Sequence, residues 1–158
     1  MEPLYVTETA YTLEEYSKFN KAIVGNKFHI VSLLLLLCCV LNYLASKNIY
    51  SALFFVIMIA MLEIVIPLSQ KSAVKKQYYS DRHLLKNYMY QFCFYQSYFE
   101  IKTYSAYAKI DYEDIVSVKE TKTNFYLMRT INQGHIIAKE NCSPELIAFL
   151  TNLKNIKG

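Results

Sequence analysis

Formal charge is missing from two stretches of this 158-residue chain. Between Lys27 and Lys47 lie 19 residues with none, FHIVSLLLLLCCVLNYLAS, and between Lys47 and Lys71 lie 23 more, NIYSALFFVIMIAMLEIVIPLSQ, in which Glu63 is the sole charge. Each is long enough to span roughly 30 Å of hydrocarbon as a helix. The gap in charge argues against a soluble protein, because two adjacent core helices of this length need a larger core than the remaining residues can build. A signal peptide's short basic start and small-residue cleavage site are also missing, since mostly polar residues with Glu2, Glu8, Glu14 and Glu15 precede the first apolar run. Residues 28–46 therefore read as a retained transmembrane helix.

Catalytic and metal signatures are equally scarce. Cys38, Cys39, Cys93 and Cys142 show no CxxC spacing and no histidine at metal-ligand spacing, so free thiols and no metal are expected. His135 and Cys142 could meet across a strand end, but no oxyanion-type glycine loop accompanies them, and they read as an exposed turn histidine and a packed cysteine. Asp111, Glu113 and Asp114 lack the glycine and the spaced ligand array of a cation site and read as a turn and a strand cap. The expectation is a non-enzymatic chain with no catalytic residue and no cofactor.

What is present is hydrophobic, 54% of residues, and aromatic, 15%, against 19% charged. Four segments follow. Residues 1–27 form a cytoplasmic strand and amphipathic helix; 28–70 a transmembrane hairpin with helices at 28–46 and 48–69; 71–86 a basic juxtamembrane linker; and 87–158 a cytoplasmic domain. The connector Ser46-Lys47-Asn48 is too short for anything but a tight antiparallel turn. Lys18, Lys21 and Lys27 flank the entry and Lys71, Lys75, Lys76, Arg82 and Lys86 the exit, against one lysine in the loop. That asymmetry predicts a multi-pass protein of the cell membrane with both termini in the cytoplasm. Residues 71–86 carry a net +4 of the chain's +4 total, the remaining segments cancelling. Lys71, Lys75, Lys76, Arg82 and Lys86 are thus candidates for contact with anionic headgroups of the bilayer, worth about 1 kcal/mol each near the surface. No basic stripe continues into the rest of the domain, which disfavours nucleic acid.

At the N-terminus LYVTETAY reads as extended, and Thr12 with Glu15 forms a T-x-x-E capping box that opens a helix with Leu13, Tyr16, Phe19 and Ile23 on one stripe. This helix has two possible beds, the membrane face and the C-terminal domain, and the pattern does not choose. After residue 87 the periodicity changes to 2. In YMYQFCFY, Tyr88, Tyr90, Phe92 and Phe94 share one face and Gln91 and Cys93 the other. Further short strands are expected at 98–103, 107–110, 115–120, 125–130 and 135–140, separated by turn residues. Connections this short predict an antiparallel meander. Ser143-Pro144-Glu145 then starts a helix with Leu146, Phe149, Leu150, Leu153 and Ile156 as its stripe, placed to cap the sheet.

This layout resembles the YcxB-like membrane proteins. The residues that carry the likeness are TLEEYSKF at the N-terminal helix, IDYEDI (Ile110 to Ile115), VSVKET, and the aromatic strand FYLM (Phe125 to Met128). Where the family runs an isoleucine-rich strand into Pro-Lys-Arg and an aromatic, this chain has IIAKENC: Lys139 matches, while Ala138, Glu140 and Cys142 depart. The resemblance implies a membrane helical hairpin and a cytoplasmic α+β domain of PH-like fold, a bent antiparallel β-sheet or split barrel capped by a C-terminal helix. It implies little about activity, since a fold does not confer one.

Glu63 and Pro67 sit within one turn of each other. Pro67 lacks the N–H that would bond the carbonyl of Glu63, so a freed carbonyl and a carboxylate make one polar spot near the inner end of the second span. Counting outward from the loop sets Glu63 level with Val31, within a turn of His29 and Ser32. An intramembrane polar pair of Glu63 with His29 is the sharper expectation, with Ser32 or a neighbouring subunit of a homo-oligomer as other partners; a simple kink at the inner end, with Glu63 protonated or wetted, fits the pattern equally. Two functions of different class fit. In one, the hairpin holds a PH-like interaction domain at the cytoplasmic face, where it binds an unidentified protein partner. In the other, the chain is an accessory subunit of a membrane transporter or envelope self-protection system, acting through the hairpin.

Overall fold

The structure is a computed structural model that describes residues 2–25, 27–80 and 88–157, leaving aside the side chains of residues 27–29, 46 and 51. It comprises helices and two antiparallel sheets, an α+β composition. Backbone contacts divide it into two units, Met1–Ile23 with Asp81–Gly158, and Val24–Ser80.

Among the described residues the first unit holds seven strands: β1 (Tyr5–Ala10), β2 (Met89–Phe94), β3 (Tyr98–Lys102), β4 (Tyr107–Asp111), β5 (Ser117–Glu120), β6 (Asn124–Met128) and β7 (Gly134–Ala138). The six runs expected after residue 87 are all strands. They do not form one meander, however. The order is β1-β2-β3-β4 in one sheet and β5-β6-β7 in the other. The break falls at a 3-10 turn, Tyr112–Asp114, whose Tyr112 N–H bonds Ser97 O at 3.1 Å and whose phenol donates to Tyr95 O at 3.0 Å. Those bonds turn the chain away from β3, and Val116 N–H, bonded to Met128 O at 2.8 Å, starts it along β6 instead. At the first residue of β7, a Cβ on Gly134 would lie 2.7 Å from Leu127 O, too close for any other residue.

β1 is the strand that neighbour pairing could not anticipate. It adds to the edge of β2 with Tyr5 opposite Phe94 and Ala10 opposite Met89. Its inward residues then close the first sheet onto the second through side chains. Ala138 N–H donates to Thr9 Oγ1 at 3.0 Å, Ile136 N–H to Tyr11 Oη at 2.9 Å, and Thr7 Oγ1 donates to Asn141 O at 2.8 Å. Residues 7, 9 and 11 share a face because side chains alternate along a strand. Thr9 and Tyr11 meet alternate N–H groups of β7, and Thr7 meets the 3-10 turn Lys139–Asn141 just beyond it.

Between the sheets lie Phe92, Phe94, Phe99, Ile110, Ile115, Phe125, Leu127 and Ile137, all buried. β6 is buried along both faces because helix α1 (Leu13–Val24) covers its other side. Phe19 packs on Tyr126 with ring centroids 5.4 Å apart, and Glu15 accepts from Asn124 Nδ2. Of the two beds open to this helix, it takes the domain. Half of the expected capping box is present, since Glu15 N–H donates to Thr12 Oγ1 at 3.2 Å; the Glu15 carboxylate is drawn instead to Asn124 and to Lys18 at 2.7 Å. Helix α5 (Pro144–Lys157) is capped by Ser143 Oγ, which accepts from Leu146 N–H at 3.2 Å. Leu146, Leu150 and Leu153 are buried and Phe149 half-buried, but Ile156 is 70% exposed, beyond the reach of the core. Glu120 of β5 takes Lys139 at 2.6 Å and Lys154 of α5 at 2.8 Å, which hold its carboxyl below the usual range.

The second unit is helical: α2 (Lys27–Ser46), α3 (Ile49–Ala60), one turn of π-helix (Met61–Val65) and α4 (Ile66–Ser80). Lys47, at φ +50°, turns α2 into α3, and Asn48 caps α3 by accepting from Tyr50 N–H at 2.9 Å. The helix does not stop at residue 69. Lys, Gln, Ala and Ser carry it on, and the basic segment expected as a linker is helical from Lys71 to Ser80.

Thr9→Val keeps the side-chain shape and leaves Ala138 N–H buried without an acceptor, which costs about 1–3 kcal/mol. Urea unfolding of the full chain in detergent should show that loss, with Thr9→Ser close to wild type.

Candidate functional site

The helical unit wears its apolar residues outside. Leu33, Leu37 and Leu44 of α2 are exposed, as are Leu53, Phe54 and Ile57 of α3 and Ile64 and Leu68 beyond it. Ser32 is only 7% exposed, and its Oγ has no hydrogen-bond partner among the described residues. Cys39 is buried too, its Sγ 3.7 Å from Ala52 O where α2 and α3 pack together. Among the described residues one helix, Ala52–Ser80, is long and apolar enough to cross a membrane, and none of its apolar window is buried; Ile30–Ala45 is a shorter apolar helix. A soluble core helix passes the same length test but is mostly buried.

Glu63 lies in the π turn. Ile66 N–H reaches back five residues to Met61 O, so one extra residue is fitted into the turn just before Pro67. The proline explains the position, since an α-helical turn would drive its ring against the carbonyl of Glu63. Ser69 Oγ donates to Ile66 O at 2.9 Å, and the π turn packs beside α2. Glu63 is half-buried and has an interaction partner. The side chain of His29, the expected mate, lies outside the described residues. Lys71, Lys75 and Lys76 are all exposed on α4, Lys71 and Lys75 one turn apart on the same side. Arg82 and Lys86 lie outside the described residues.

The sheet unit presents a second polar assembly, on the outer face of the four-stranded sheet. Glu100 of β3 accepts from Tyr107 Oη at 2.7 Å and Tyr95 Oη at 3.1 Å and pairs with Lys102 Nζ at 2.9 Å. Tyr95 stacks on Tyr98 at 4.6 Å between centroids, and Lys109 Nζ sits 3.9 Å above the Tyr98 ring. Lys102, then Tyr107, hold the Glu100 carboxyl below its usual range, and Glu100 in turn raises the phenol of Tyr107. Only Glu100 and Lys102, two apart on one strand, were within reach of sequence pattern; Tyr95 and Tyr107 join them through a register that the turns decide.

The remaining chemical candidates are packed or paired. His135 is not in a turn but on β7, edge-on to the rings of Phe99 and Phe92 at 6.0 and 6.5 Å. Burial, with Arg129 adding to it, pushes its imidazole down to about 4, and its Nε2 has no hydrogen-bond partner among the described residues. Cys142 Sγ lies 3.3 Å from Ala138 O and 3.7 Å from Thr7 Oγ1, and burial raises its thiol. All four cysteines are free. Asp111 ends β4, and Glu113 and Asp114 form the 3-10 turn that follows. Among the described residues no three His, Cys, Asp or Glu side chains converge to hold a metal ion. A cleft of about 330 Å³ beside Thr9, Glu140 and the start of α1 is polar, but its Lys18 is already bridged to Glu14 at 2.9 Å and to Glu15.

A two-sheet antiparallel domain with a terminal helix, joined in one chain to an apolar helical unit, defines the class. Residues 94–153 match the model of the YcxB-like protein family, the family to which IDYEDI and FYLM point. The match runs from the end of β2 into α5 and leaves out β1 and α1–α4. No curated protein and no solved structure matches the chain.

His135 sets a pH dependence. As the pH falls below about 6.5, the unfolded chain takes up a proton that the folded chain refuses until about 4. Stability should therefore drop across that window, by at most about 1.4 kcal/mol per pH unit. His135→Phe should flatten this acid limb in unfolding curves measured from pH 7 to pH 4, and the His135 ring protons should titrate near the lower limit in NMR spectra.

Proposed function

We propose that this chain is a non-enzymatic integral membrane protein whose two apolar helices form a transmembrane hairpin. That hairpin presents a PH-like interaction domain at the cytoplasmic face to a protein partner. The observation that carries this reading is the inverted helical unit, with leucine and phenylalanine outside and Ser32 and Cys39 inside. In water such a surface far exceeds the apolar patch of an ordinary soluble protein; in lipid it is the expected one. The helix Ile49–Ser80 is roughly 48 Å long at about 1.5 Å per residue, so its basic end extends past a hydrocarbon core of about 30 Å. Lys71, Lys75 and Lys76 then meet headgroups and mark the cytoplasmic side. Supporting the PH-like reading are the strand order, four then three, and the helix that closes the chain.

The full chain should stay with membranes through alkaline carbonate extraction, and a fluorescent protein fused after Gly158 should fold and fluoresce in the cytoplasm. Release by carbonate, or a dark fusion at normal abundance, would count against the reading.

Glu63 belongs to the same proposal. Placed beside α2 by the π turn, its carboxylate pairs with His29 and fixes how the two helices face each other. A double-mutant cycle with Glu63→Gln and His29→Ala in detergent should show coupling of about 0.5–1.5 kcal/mol. Additive losses would remove the pair.

A further inference from the structure

The four-stranded sheet has two ends. At one, Tyr5 pairs with Phe94, and Phe149 of α5 lies 5.5 and 6.2 Å from those rings and closes it. At the other, Ala10 pairs with Met89 and Gln91 with Lys102. This second end is where the chain leaves the sheet toward α1–α4 and where it returns from them. It is also where the turn Thr103–Ala106 joins β3 to β4.

That hairpin projects from the domain. Every residue from Tyr104 to Lys109 is exposed, Tyr104 by 93% and Tyr107 by 60%. The tip is nonetheless fixed. Thr103 N–H donates to Ala106 O at 2.9 Å, and Ala106 N–H donates to Thr103 Oγ1 at 3.0 Å. Continuing the β2–β3 register by two residues sets Tyr104 level with Met89, which is itself exposed, as is the preceding Tyr88. No acid occurs from Thr103 to Lys109; the sequence there is TYSAYAK, tyrosines and one lysine separated by small residues. Tyrosine is the side chain of the membrane–water interface, with a ring that leaves water and a hydroxyl that stays in it.

We propose that the β3–β4 hairpin is a second, reversible membrane contact, with Tyr104 at its tip seated in the headgroup region of a phospholipid bilayer. This rests on the reading of the helical unit as the anchor, which tethers the sheet unit to a bilayer. The contact fixes the orientation of the domain and leaves the Glu100 face and α5 available to partners.

The chain contains no tryptophan, so a single one reports without background. Three full-length variants, Tyr104→Trp, Phe54→Trp in the span and Ile156→Trp on α5, would each be reconstituted in phosphatidylcholine–phosphatidylglycerol vesicles containing lipids brominated close to the headgroup end of the acyl chain. Tyr104→Trp should emit at shorter wavelength than Ile156→Trp and be quenched by about twofold or more relative to it, as an interfacial indole is. If Phe54→Trp is quenched and Tyr104→Trp behaves like Ile156→Trp, the hairpin contact is overturned and the anchor stands. If Phe54→Trp escapes quenching, the anchor fails and the hairpin proposal with it.

Discussion

Three hydroxyl groups hold the first strand of this protein to the last, and the sheet unit depends on them. Thr7, Thr9 and Tyr11 are separated from their partners Asn141, Ala138 and Ile136 by 134, 129 and 125 residues. Without them β7 would carry buried N–H groups that neither β6 nor water could satisfy. With them β1 serves two sheets at once, by backbone to β2 and by side chain to β7. The closure also explains why α1 sits where it does: it begins directly after β1, already beside β6, and Glu15 and Phe19 need only reach Asn124 and Tyr126.

The helical unit follows the opposite rule of burial. In the sheet unit the rings of Phe92, Phe94, Phe99 and Phe125 are shut away from the surface, while in the helices Phe54 and the leucines face outward and Ser32 inward. One sequence thus carries two opposite patterns of burial. The π turn belongs to the second. It removes the clash at Pro67 without breaking the helix, and it packs beside α2 with Glu63 half-buried.

Much of this was legible before any coordinates. The charge-free run 28–46 and the run 48–70, with Glu63 as its one charge, point to the helices, the switch from a period near 3.6 to a period of 2 to six strands, and Ser143-Pro144 to the start of α5. What pattern could not supply was pairing across long distances. β1 looked like a short extended stretch because nothing in TETA says that its partners lie at residue 91 and at residue 138. The division into two sheets was out of reach of neighbour pairing for a related reason: it is made by a single 3-10 turn whose bonds go back to Tyr95 and Ser97. Helix length was misjudged where composition changed from apolar to basic, since a helix ends at a cap or a breaker and the boundary at residue 70 has neither. His135 was misplaced by one turn boundary, enough to turn an exposed side chain into one packed against phenylalanine. The assembly at Glu100, which draws two tyrosines and a lysine to itself, is not legible in the sequence because both tyrosines lie off its strand, Tyr95 in a turn and Tyr107 on β4.

The pairing of β1 with β2 carries one further consequence. These strands flank the whole helical unit in sequence, yet they lie side by side, hydrogen-bonded along their length. Whatever path the intervening chain takes, it must bring β2 back to the compartment in which β1 waits. Any bilayer between them has to be crossed an even number of times, so a single pass is incompatible with the closed sheet. Pairing of the sheet would therefore act as a parity check on insertion under the proposed function: a molecule with one of the two helices left outside the bilayer would have β1 and β2 on opposite sides and an open edge on each.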